Sequence, residues 1–320
     1  MMKKILYILT LLATTANAQN ISYGEYMQRV MEGNVALTAK KLDIEIAEAQ
    51  LKASEVFNDP TLGVTYSNNE DWSKGLGQGI EVELSRTFTF GVRKNRIQMA
   101  DNERKLTVSL FEEYMRNFRA DATLAYLEHL KAIMVLEESR KTLADLEEIA
   151  ESNWLESRMA MGIARNEMLE AEAALGNSAI KLGYYMGKLD GSEKLRGSGT
   201  LEMSEKTAPL GNYIDNALEN RADIVVALSR ADMAVAIQRF NKAQRRPELN
   251  AVLGATYNMA DPDFTTIKAG IAVPLKFSNL NKGARIADEI LVKQANLEVE
   301  EARLLVEADV MQAYNSLHVS

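Results

Sequence analysis

The residues best equipped for chemistry are few. The two histidines, His129 and His318, lie 189 positions apart (318 − 129) in segments of helical composition, so neither meets a nucleophile or a second ligand through local spacing. Cysteine is absent, which excludes disulfides, thiolate metal sites and a lipid-bearing cysteine. The 15 methionines have the donor atoms for a soft metal, but most recur at helical spacing, where a flexible thioether fills a core. Gly183-Tyr184-Tyr185-Met186-Gly187-Lys188 superficially has the composition of a phosphate loop, yet its spacing is wrong and no strand precedes it. Acidic pairs at Glu112-Glu113, Glu137-Glu138 and Glu147-Glu148 read as solvated helix faces; the other reading has them lining a passage that favours cations. No catalytic residue, metal ligand or cofactor is expected, and the chain is read as not an enzyme.

The elements that would position such residues are more informative. Met1-Met2-Lys3-Lys4 is a basic start, Ile5 to Thr15 is apolar but too short to span a bilayer, and Ala16-Asn17-Ala18 is a small-x-small cleavage site. Residues 1–18 therefore read as a secretory signal peptide. No later stretch approaches twenty apolar residues, so a membrane role would need strands. The net charge is −8, or about −10 without Lys3 and Lys4 (−8 − 2), which argues against a nucleic-acid partner. Five prolines, 7% aromatics and abundant Ala, Glu, Leu and Lys describe long helices.

An internal repeat organises the chain. At an offset of 187 (213 − 26), Tyr26 falls on Tyr213, Glu32 on Glu219, Ala47 on Ala234, Pro60 on Pro247 and Leu62 on Leu249. A Gly-x-Arg follows in each copy, Gly91-Val92-Arg93 and Gly283-Ala284-Arg285; proline to glycine spans 31 residues (91 − 60) in one and 36 (283 − 247) in the other. Each copy opens with a helix, about Ser22 to Phe57 and about Leu210 to Arg245, and Pro60 and Pro247 are expected to end them because the residue before proline disfavours the helical conformation. Pro60, Gly91, Arg93, Pro247, Pro274, Gly283 and Arg285 are the expected hinges of the repeat.

After each proline the apolar period changes to two. Strands are expected at 61–67, 80–90, 249–258 and 267–277, with Leu62, Val64, Tyr66, Ile80, Val82, Leu84, Leu253, Tyr257, Ile267 and Ile271 on one face. The other face carries Glu81, Glu83, Lys268 and Lys276, which suit a wet lumen. The lengths match tilted transmembrane strands. Asn68 to Gly79 and Met259 to Phe264 have loop composition. Arg86 falls on the apolar face, where a charge is tolerated near headgroups; it is placed toward a periplasmic rim. Four strands cannot close a barrel, and an open edge in lipid leaves backbone groups unsatisfied, so strands of other copies must complete it. Three copies would give twelve.

Between Gly91 and Gly162, 71 positions apart (162 − 91), there is no proline or further glycine, and apolar or small residues recur at 3-4 spacing from Phe111 to Ala150. The helix would reach roughly 105 Å. Met161-Gly162-Ile163 is expected to break it, with a return helix from Arg165 to Lys188. The expected organisation is a first repeat at 19–188 with its hairpin at 92–188, a linker at 189–209 and a second repeat at 210–320. By symmetry the second hairpin would turn near residue 354 (283 + 71), so the second repeat is read as truncated.

In this order of elements, in Asn220-Arg221-Ala222-Asp223-Ile224, in Val273-Pro274-Leu275 and in the segment from Met161 to Glu172, the chain resembles the TolC-like outer-membrane factors from Gln19 to Ser320, with a general look nearest the cation-efflux branch. The resemblance implies a mostly α fold with a small β part: helical hairpins forming an α-barrel tunnel, and four strands per subunit in a shared transmembrane β-barrel. It implies a homotrimer in outer-membrane lipid with a periplasmic extension, acting as exit duct of a tripartite efflux or type I secretion system. The implied partners are a periplasmic adaptor and an inner-membrane pump, with Met161, Gly162 and Ile163 as the adaptor-docking tip. Ala222 stands where the family often has proline. The alternative is a periplasmic adaptor or scaffold with long hairpins, whose strands would be soluble.

Overall fold

The computed structural model describes residues 19–68, 78–149, 154–201, 208–259, 265–275 and 282–319. The expected leader 1–18, most of the two loop-like connections and the expected strand end at 276–277 lie outside these residues. In chain order the elements are β1 (Gln19–Ser22), α1 (Tyr23–Gly33), α2 (Val35–Ser54), β2 (Thr61–Asn68), β3 (Gln78–Phe88), α3 (Val92–Ile149), α4 (Trp154–Tyr185), β4 (Leu195–Ser198), α5 (Leu210–Asn220), α6 (Ala222–Gln244), β5 (Leu249–Asn258), β6 (Thr265–Ala272) and α7 (Lys282–Val319). A 3-10 turn, Ser192–Lys194, leads into β4. No described helix is long and apolar enough to cross a membrane.

The helix expected from Ser22 to Phe57 is two helices, broken at Asn34. The Asn34 backbone is extended (φ −73°, ψ 119°), and its side-chain oxygen accepts the Leu37 N–H at 3.0 Å, so an amide that competes with the backbone ends one helix and starts the next. The second copy breaks at Arg221 (φ −74°, ψ 131°), which is Asn34 displaced by 187 (221 − 34). The same offset carries the bounds of α1 onto those of α5 and the first residue of β3 onto that of β6 (265 − 78). The five-residue difference between the copies therefore lies beyond the start of β6.

The chain forms two compact units, Met1–Ala39 with Met115–Lys206 and Lys40–Tyr114 with Thr207–Ser320. They cut across the expected 19–188 and 210–320 because their boundaries fall inside α2 and α3.

In the first unit, β1 and β4 pair in parallel, a two-stranded sheet that the sequence reading missed. The Tyr126 hydroxyl holds it, lying 2.8 Å from the Ile21 carbonyl and 3.0 Å from that of Ser198, and accepting the Ser198 N–H at 3.2 Å. Tyr26 stacks on Tyr126 at 5.2 Å between ring centres. Leu136 of α3 packs on Ala171 and Leu175 of α4. The end of α4 explains the glycine-rich hexapeptide. Gly187 is left-handed (φ +72°), Lys188 N–H donates to the Gly183 carbonyl at 2.9 Å, and a Cβ on Gly187 would stand 2.2 Å from the Gly33 carbonyl oxygen. The motif is a helix C-cap against a neighbouring backbone.

In the second unit, β2, β3, β5 and β6 form an antiparallel sheet in that order, with β3 of the first copy paired to β5 of the second. Helix α7 packs on α5 and α6. Arg221 of the α5–α6 break ties them together, bonded to Asp223 and, at 3.1 Å, to Asp309 of α7.

Candidate functional site

The four-stranded sheet is the feature with the plainest functional signature. Cross-strand partners lie on one face, so the register Leu62↔Leu84↔Leu253↔Ala269 and Val64↔Val82↔Ala255↔Ile267 gathers the apolar residues of all four strands on the same side. That side is not covered by any part of its own unit: Leu62, Val64, Leu253, Ile267 and Ile271 are each more than 60% exposed. A contiguous exposed apolar surface of this kind marks a membrane or an interface. The opposite face carries Thr61, Gly63, Thr65, Glu81, Glu83, Thr256 and Lys268. Lys268 Nζ donates to Glu81 at 3.0 Å, reaching diagonally across β5 from the row of Gly254 to that of Thr256. The pair is half-exposed, so it contributes at most about 1 kcal/mol and serves mainly to keep the face wet. Among the described residues, β2 and β6 have a strand on one side only.

The expected hinges sit where this sheet meets the helices, in three different ways. Pro60 and Pro247 immediately precede β2 and the residue before β5, but α2 stops at Ser54 and α6 at Gln244, so neither proline is the immediate terminator. The end of α2 is held instead by arginines of α3. Arg93 Nε donates to the Glu55 carbonyl at 2.8 Å, Arg96 Nε donates to Ser54 O at 3.0 Å, and an Arg96 terminal amino group donates to Val56 O. Gly91, with φ +79°, makes the turn into α3, and Asn95 closes it through its side chain to the Gly91 carbonyl at 2.7 Å.

The second copy reverses the chemistry. Asp288 takes the place of Arg96, five residues past its glycine in each case (288 − 283 and 96 − 91), and accepts from Asn241 at 2.8 Å and Arg245 at 2.6 Å. A carboxylate on α7 thus binds side chains of α6, where an arginine on α3 binds carbonyls of α2. Gly283 lies inside α7 with no left-handed backbone, so the expected equivalence with Gly91 stops at composition. Arg285 is exposed beside Asp288 and Glu289, and Pro274 lies two residues past Ala272, the last bonded residue of β6, where the missing N–H suits the end of a ladder.

At the far end of the hairpin the expected turn is not at Met161-Gly162-Ile163. Those residues lie within α4, between its first residue Trp154 and the buried Ala164. The described helices part earlier, between Ile149 and Trp154. A glycine is compatible with a helix interior at about 1 kcal/mol relative to alanine, and Gly162 has nothing within 4 Å of where a Cβ would stand. Ile163 is 60% exposed, so this stretch of α4 presents an apolar side chain to its surroundings.

His129 is fully buried and does no visible chemistry. Ser178 Oγ donates to the Leu175 carbonyl at 2.8 Å, so the 2.8 Å contact to His129 is a bond donated by Nδ1–H. Nε2 is then a bare acceptor, and it has no partner among the described residues. Burial, with Arg196 adding repulsion, pushes its pKa down to about 4, so the ring is neutral. The side chain of His318 lies outside the described residues. Among the described residues no cluster of three metal-ligating side chains occurs.

No family model and no curated protein matches the chain. Solved structures do. A membrane protein from Pseudomonas aeruginosa is 18% identical with a TM-score of 0.67, covering 91% of this chain and 74% of its own. The open state of the Neisseria gonorrhoeae MtrE outer-membrane channel is 14% identical with a TM-score of 0.62, covering 91% and 70%. The Campylobacter jejuni CmeC outer-membrane channel is 13% identical with a TM-score of 0.64, covering 91% and 68%. The chain therefore has the fold of the two outer-membrane channels and of the Pseudomonas membrane protein, mostly helical with a small β part, as the TolC-like resemblance implies.

Proposed function

We propose that the chain is one subunit of a homotrimeric outer-membrane channel, the exit duct of a tripartite efflux or type I secretion system. The observation that carries this reading is the sheet, with its outward apolar face exposed on all four strands, charges on the other face and two edge strands, β2 and β6, that have a neighbour on one side only among the described residues. In hydrocarbon an unpaired edge costs several kcal/mol per backbone group, so the edges must be filled. The strands alternate in direction, so the β2 of one copy meets the β6 of the next antiparallel and the ladder continues. Three copies give a twelve-stranded barrel with room for water, whereas two give eight strands filled by side chains. A soluble adaptor would have to cover the same apolar face, which disfavours that alternative.

The helices would form the periplasmic passage. Helix α3 alone has 58 residues, about 87 Å of rise. The stretch of α4 that presents the exposed Ile163, with Met161 and Gly162 beside it, would dock a periplasmic adaptor that connects to an inner-membrane pump. Nothing in this reading requires a catalytic group or a cofactor, and the acidic chain is unsuited to nucleic acid.

Fractionation tests the reading. The protein is expected in the outer membrane as a detergent-requiring, heat-modifiable trimer that conducts ions in planar bilayers; a water-soluble, non-conducting protein would refute it. Replacing Ile163 by Asp should leave trimer and conductance intact and abolish export, because it changes a docking surface only. Unimpaired export would remove this stretch of α4 from that role.

A further inference from the structure

Positive charge concentrates at the foot of the sheet in a chain whose net charge is −8. Segment 86–96 holds Arg86, Arg93, Lys94 and Arg96 and no acidic residue. Three rings gather there as well: Phe57, Phe88 and Phe90 are 63%, 44% and 57% exposed. Together with Arg86, Arg93 and Arg96 they line a recess of about 260 Å³, and no carboxylate is among its lining residues.

Each arginine is oriented. Arg86 projects from the outward apolar face of β3, two residues before Phe88, with its guanidinium 5.4 Å from that ring's centre. Arg93 lies 4.2 Å over Phe57 while its Nε is bonded to the Glu55 carbonyl, and Arg96 is fixed by the carbonyls of Ser54 and Val56. Guanidinium groups held on aromatic faces, in a recess that no carboxylate lines, make a receptor for a planar or tetrahedral anion. Their place narrows the choice of anion. The recess opens where the exposed apolar band of the sheet ends, the depth at which a bilayer offers phosphodiesters above and acyl chains below.

We infer that this recess binds the headgroup of an anionic phospholipid, its phosphate between Arg86 and Arg93 and its acyl chain along Phe88 and the outward side of β3. The inference rests on the reading of the sheet as membrane-inserted and adds a lipid class and a site to it. One such site per copy would set the depth of the barrel in the leaflet nearest the helices, and would couple that depth to the end of α2 through the same arginines.

The test uses the full-length trimer in nanodiscs of phosphatidylcholine with and without phosphatidylglycerol, with the lipid retained after delipidation read by native mass spectrometry. Wild type is expected to retain phosphatidylglycerol over phosphatidylcholine. Arg86→Gln should lower that preference roughly fivefold, as removal of one interfacial cation does. Arg86→Lys should keep most of it, and Lys94→Gln, on the same segment but outside the recess, should leave it unchanged. Equal retention of the two lipids by an inserted wild type would overturn the site while sparing the duct. Displacement of bound lipid by millimolar inorganic phosphate would identify the ligand as a free anion and overturn the lipid assignment. A wild type that enters neither bilayer would overturn the duct reading itself.

Discussion

At the scale of single residues the chain invests in holding helix ends. Arg96 donates to carbonyls at the end of α2, and these carbonyls have no helical partner of their own. Arg96→Ala should lower stability by about 1–2 kcal/mol, because the part-buried Ser54 carbonyl and the exposed Val56 carbonyl both lose a charged donor. Chemical unfolding of the trimer in detergent reads this; an unchanged midpoint would mean that water replaces the guanidinium. His129 gives a pH signature. Its pKa is about 4 in the folded chain and near 6.5 unfolded, so below 6.5 the unfolded state binds more protons. Its contribution is fully present above pH 6.5 and is lost as pH falls toward 4, on the order of 3 kcal/mol. The melting temperature of wild type should therefore fall further between pH 7 and pH 4.5 than that of His129→Gln; parallel losses would show that another group carries the effect.

At the scale of elements, alternation dictates which side of the sheet would meet lipid in the proposed barrel. Inserting one residue after Ala269 of β6 would send Ile271 to the charged face and break the ladder with β5, so outer-membrane trimers should disappear. Normal trimers in that fraction would contradict the assigned register. Gly187→Ala should lower stability by roughly 2 kcal/mol or more, since the backbone is left-handed and the new methyl would meet the Gly33 carbonyl; a melting curve that does not move would refute the close approach. The strands were legible because Leu62, Val64, Tyr66 and their partners follow a strict period of two that no helix would tolerate. The breaks at Asn34 and Arg221 were obscured because good helix formers flank both, although Asn34 has the chemistry of a helix start. The pairing of β1 with β4 was invisible because it joins segments about 176 residues apart (195 − 19) and each is only four residues long. Gly162 misled because glycine marks helix ends by its freedom of φ, and nothing local reveals when that freedom goes unused.

At the scale of the whole molecule, the proposed channel has one chain supply a third of a β-wall, with β2 and β6, the two edges among the described residues, satisfied by copies of itself. The chain contains no cysteine, so introduced thiols report without background. The decisive measurement is oxidative cross-linking of intact cells that express Val64→Cys on β2 together with single cysteines placed in turn along Thr265–Ala272 of β6. Some positions on β6, alternating along the strand, are expected to yield covalent dimers and trimers and nothing larger. Monomers at every position, or an open ladder extending past three chains, would contradict the proposed channel.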